Sequence, residues 1–66
     1  MMLLPFDIMR IVQNEEPMLL EGAPNLEDAM LRANALRESA PGDYLVVRRA
    51  TGKKILFSAN GAIRRT

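Results

Sequence analysis

Asn-Leu-Glu-Asp-Ala-Met-Leu-Arg-Ala-Asn-Ala-Leu-Arg-Glu-Ser-Ala, residues 25–40, is the one stretch of this chain long and periodic enough to read as a helix. Its punctuation agrees at both ends. Asn25 is a favoured N-cap, because its side-chain oxygen can accept an orphan N–H of the first turn. Glu27 and Asp28 follow where the helix dipole favours negative charge, and Asp28 stands at the capping-box position. Pro41 disfavours helical geometry at Ala40, and Gly42 lets the chain turn away. At about 100° per residue, Leu26, Ala29, Met30, Ala33, Leu36 and Ala40 fall on one face. The alanines predict a close approach to whatever lies beneath. Arg37 falls inside this stripe, where its stem should cover apolar surface while its head reaches water. Leu31 falls almost opposite.

The remaining apolar runs are short and rich in Val, Ile, Leu and Phe, as strands are. Residues 6–13 read as a first strand and 18–21 as a second, joined by the polar turn Asn14-Glu15-Glu16-Pro17. Beyond the helix, Asp43–Arg49 is the clearest strand and Lys54–Ala59 its partner, with Ala50-Thr51-Gly52-Lys53 as the hairpin turn. Asn60-Gly61 matches the type I′ pair, which needs positive φ at both residues and would return Ala62–Arg64 as a last strand. The expected fold is therefore α+β: one ββαββ domain over residues 1–66. Its antiparallel sheet has four strands, five if the last turn closes, with one helix packed on one face. This layout resembles the short strand-strand-helix-strand-strand domains of many bacterial proteins, with Asp43–Ile55 the nearest thing to a motif. That resemblance carries no functional residue across.

Size and composition narrow the chemistry. A 66-residue chain buries only roughly 60% of the surface its unfolded form exposes. With no cysteine and no histidine, neither a disulfide nor a typical structural zinc site can supplement that core. The same absences remove the usual general base, the thiol nucleophile and the commonest metal ligands. Glu15-Glu16 and Glu27-Asp28 read as turn and helix-start residues, and Ser39 and Ser58 have no evident base beside them. Gly52-Lys53 lacks the glycine spacing and the strand-loop-helix context of a phosphate-binding loop. The expectation is a protein that is not an enzyme and carries no cofactor and no metal. The apolar start meets Asp7 too early for a signal peptide or a membrane span, which reads as a cytoplasmic protein with no membrane partner.

Two features point to binding. A sheet covered by one helix should be apolar on one side only, yet each main strand carries bulky apolar residues on both. The expected interaction face comprises Met9, Ile11, Tyr44, Val46 and Leu56, with Leu31 of the helix as an added contact. A second copy of the chain is its expected partner, giving a homodimer. The alternative is that the chain ends, residues 1–5 and 62–66, fold over that face. The second feature is charge. Residues 1–43 hold eight acids and three bases, a net −5, whereas residues 44–66 hold six bases and no acid. Arg48, Arg49, Lys53, Lys54, Arg64 and Arg65 could line a basic β-ribbon that neutralises phosphates, making nucleic-acid binding the alternative function. Aromatic residues for stacking bases are scarce, since Phe6, Tyr44 and Phe57 are the only ones.

Overall fold

The computed structural model describes residues 4–65, and the side chain of Arg65 lies outside that description. Five strands and one helix follow in the order β1 (Phe6–Ile11), β2 (Met18–Ala23), α1 (Leu26–Ser39), β3 (Asp43–Arg48), β4 (Lys54–Phe57) and β5 (Ile63–Arg65). They form one antiparallel sheet of order β2-β1-β3-β4-β5 with α1 packed against it. The expected α+β, ββαββ arrangement is thus the fold, with the fifth strand present.

The helix forms as its punctuation predicts. Asn25 has extended backbone, and its Oδ1 accepts the Asp28 N–H at 2.8 Å. Asp28 answers through its own carboxylate, which accepts from Asn25 Nδ2 at 3.4 Å. Ala29 and Ala33 are fully buried, and Leu26, Met30 and Leu36 pack beside them. Small side chains at the centre let the helix sit low on Phe6, Ile8, Tyr44, Val46 and Phe57, the buried residues of β1, β3 and β4.

Arg37 covers apolar surface as the stripe implied, but its head meets protein partners where water was expected. Its guanidinium lies 5.6 Å from the Phe57 ring centroid and donates to Asn34 Oδ1 at 2.6 Å and to the Ser58 carbonyl at 3.3 Å. The stem seals one end of the core while the head ties the helix to the end of β4. The helix C-terminus is held by β3: buried Tyr44 donates its hydroxyl hydrogen to the Ala40 carbonyl. A buried phenol needs such a partner, and an orphan carbonyl at a helix end needs a donor.

The turns follow local chemistry, with one departure from expectation. Asn14 adopts φ 66° in the β1–β2 turn, closed by the Glu15 N–H on the Val12 carbonyl at 3.1 Å. Asparagine tolerates that left-handed position better than most residues. At the last turn Gly61 alone has positive φ, 96°, and Asn60 does not. The turn is therefore not type I′. Gly61 N–H donates to the Ser58 carbonyl at 3.0 Å, and Ser58 N–H to the Ala62 carbonyl at 2.8 Å. This is the three-residue hairpin loop in which glycine takes the left-handed place. Asn60 contributes its side chain instead, accepting the Ala62 N–H at 3.0 Å.

Candidate interaction face

Register decides which side chains share a surface, because residues directly opposite one another in a sheet point to the same face. Met9 lies opposite Leu19 on β2 and Leu45 on β3; Leu45 lies opposite Leu56 on β4; and Leu56 lies opposite Arg64 on β5. The face away from the helix thus carries an apolar row, Leu19–Met9–Leu45–Leu56, ending on Arg64. The next row along the strands runs Asp7, Val47 and Lys54. On the other side of the apolar row, Ile11 pairs with Asp43, whose Oδ1 accepts the Ala59 N–H at 2.8 Å.

Strand β2 reaches this row through an irregularity. Glu21 lies opposite Ile8, but Leu19 lies opposite Met9, so Leu20 is an extra residue between them. Without this bulge, Glu21 and Leu19, two apart, would share a face. With it, Glu21 turns to the helix side and binds Arg32 at 2.6 Å, while Leu19 turns to the open side. Leu19 is 58% exposed, and Met9, Ile11, Leu45, Val47 and Leu56 are half-buried among their neighbours. Leu4 comes over Gly22, where an added Cβ would meet Leu4 Cδ1 at 3.0 Å.

Two of the expected face residues belong elsewhere. Tyr44 and Val46 are each 1% exposed and lie under the helix. The reason is pairing: Tyr44 lies opposite Phe57 and Val46 opposite Ile8 and Ile55, all on the core side. The β3 residues that join Met9, Ile11 and Leu56 are Leu45 and Val47. Leu31 does not reach this face either. It is 62% exposed on the outer side of the helix, beside a groove lined by Glu21, Ala23, Arg32 and Ala35.

The five basic residues with described side chains do not gather into one stripe. Arg48 turns to the helix side, its guanidinium 5.2 Å from the Phe6 ring centroid. Arg49 pairs with Asp7 at 3.1 Å. Lys53 closes the β3–β4 turn, accepting the Arg48 N–H at 2.9 Å through its carbonyl. Lys54 and Arg64 lie opposite Val47 and Leu56, on the open face, and the backbone of Arg65 lies opposite Ile55. Alternation along the strands sends neighbouring cations to opposite sides of the sheet.

Among the described residues no group of three acidic side chains could hold a metal ion, and no helix is long and apolar enough to cross a membrane. Comparison with protein-family models, curated proteins and solved structures finds no match to this chain.

Proposed function

We propose that this chain is a non-catalytic interaction module that pairs with a second copy of itself through the open face of its sheet. The observation that carries this reading is the row Leu19–Met9–Leu45–Leu56, with Ile11 and Val47 beside it, on a face that the helix leaves bare. Six apolar side chains in contiguous rows differ from the scattered exposed leucines of an ordinary surface, and such patches mark interaction sites.

The apolar centre of the face is self-complementary. A two-fold axis parallel to β3, midway between two stacked sheets, sets Leu45 against Leu45, Met9 against Leu56 and Asp7 against Lys54. The same axis sets Leu19 against Arg64, and Asp7 already pairs with Arg49 in its own chain, so the apolar centre carries the pairing, and the strands stack in the aligned manner of sheet pairs. Three six-residue strands about 20 Å long and two shorter ones, about 4.8 Å apart, present about 400 Å² of plane. Standard interfaces bury about 800 Å² per partner, so this pairing is expected to be weak and concentration-dependent. Edge-to-edge pairing is disfavoured by the bulge at Leu20, which breaks the outer edge of β2.

Cross-linking tests this arrangement cleanly, because the chain has no cysteine of its own. Leu45→Cys is expected to be joined between chains by a short bis-maleimide, since that position meets itself across the axis at the roughly 10 Å spacing of packed sheets, beyond the reach of a direct disulfide. Leu31→Cys, on the exposed side of the helix, should not be joined. Failure of Leu45→Cys to cross-link at about 1 mM protein, or equal cross-linking of Leu31→Cys, would overturn the proposed pairing. The nucleic-acid reading has less support, since Arg49 is paired with Asp7 and Arg48 and Arg64 point to opposite sides of the sheet.

A further inference from the structure

The helix does not cover all of its own side of the sheet. At its C-terminal end Arg37 reaches Ser58 of the β4–β5 loop, but at its N-terminal end α1 lies near β2 and leaves the β3–β4 corner open. There a groove of about 340 Å³ is lined by Phe6, Leu26, Val46 and Ile55, of which half-buried Leu26 and Ile55 give the accessible apolar floor and buried Phe6 and Val46 lie beneath. Its remaining lining residues are Arg48, Lys53 and Lys54. None of the described residues lining it is acidic. The volume lies at the small end of ligand pockets, which run from about 300 to 1,000 Å³.

We infer that this groove binds an amphipathic anion: a hydrocarbon chain on the apolar floor, with a carboxylate or phosphate headgroup between Arg48 and Lys53. The turn fixes the backbone from which both side chains extend. Gly52 N–H donates to the Arg48 carbonyl at 2.8 Å, Arg48 N–H donates to the Lys53 carbonyl at 2.9 Å, and Lys53 N–H donates to Thr51 Oγ1 at 3.3 Å. A guanidinium lying over the Phe6 ring keeps its N–H edges available for an oxyanion. That same stacking argues against a nucleotide, because the aromatic face a base would need is occupied by Arg48. An inorganic anion alone would leave the apolar floor unused. The groove opens on the helix side, and of its lining only Lys54 also belongs to the proposed pairing face.

The test is a titration of the ¹⁵N-labelled chain with decanoate, decyl phosphate, decanol and inorganic phosphate, each below its aggregation limit. Saturable amide shifts at Phe6, Leu26, Lys53 and Ile55 with decanoate or decyl phosphate are expected, and the stronger arm identifies the headgroup. Shortening the chain should weaken binding by up to about fourfold per buried methylene. Lys53→Gln, in an exposed turn, should weaken the anions about two- to fivefold and leave decanol unchanged. Decanol binding as well as decanoate, inorganic phosphate binding as well as either, or shifts confined to Met9, Leu45 and Leu56 would each overturn the inference. So would the absence of any shift.

Discussion

Tyr44 and Leu45 are neighbours with opposite assignments, and replacing each separates core from interface. Tyr44 is 1% exposed, packs under Ala29 and Ala33 with Phe57 beside it, and donates to the Ala40 carbonyl. Tyr44→Phe keeps the ring and removes one hydrogen bond, which contributes about 1 kcal/mol net. At about 2.1 cal/mol/K per residue over 66 residues, that lowers Tm by about 7 °C. Tyr44→Ala removes a buried aromatic and is expected to destabilise by about 3–5 kcal/mol. The whole domain has about 3–10 kcal/mol at the usual stability per residue, so this variant should be largely or wholly unfolded. Leu45→Ala, on the open face, should leave the chain folded, losing about 1 kcal/mol or less in the monomer. Its effect should fall on association. Thermal melts followed by circular dichroism at low concentration, where the monomer dominates, read these differences. A Tyr44→Ala chain that melts near the parent temperature and loses only association would refute the face assignment.

Three further outcomes follow from the same contacts. Asn25→Ala removes the acceptor of the Asp28 N–H and should lower stability by about 1 kcal/mol in urea unfolding, with Asn25→Asp largely retaining it. Arg37→Met keeps the apolar stem but loses the bonds to Asn34 and Ser58; about 1–2 kcal/mol should be lost, and amide exchange at the β4–β5 turn should quicken. Gly61→Ala places a Cβ at φ 96° with nothing within 4 Å, so its cost is backbone strain alone, about 1–2 kcal/mol by thermal melt.

The helix was legible because its information is local. Cap, first-turn acids, apolar stripe and terminating Pro41 all lie within residues 25–41, and even Arg37 within the stripe pointed to a stem that covers apolar surface. The β1–β2 and β3–β4 hairpins were legible for a similar reason. The face was only half legible, and its failure divides in two. Within the β3–β4 hairpin, a four-residue loop forces even positions opposite odd ones, so Tyr44 and Leu56 cannot share a face. That signal was present in the turn length. The pairing of β1 with β3 was not, since those strands are joined through β2 and α1, and their register depends on tertiary packing. The bulge at Leu20 was equally hidden, because nothing in Met18-Leu19-Leu20-Glu21 marks which residue is left unpaired. The basic cluster misled because proximity in sequence is not proximity on a sheet: Arg48 and Arg49 are adjacent and serve different neighbours.

Sedimentation equilibrium of the unmodified chain, from about 10 µM to about 1 mM, covers the range in which a small interface operates. Pairing through the open face predicts a mass that climbs from 7.4 kDa towards twice that value, with the rise abolished by Leu45→Glu and retained by Leu31→Glu. A mass that stays at 7.4 kDa throughout, or a rise that Leu45→Glu leaves intact, would contradict it.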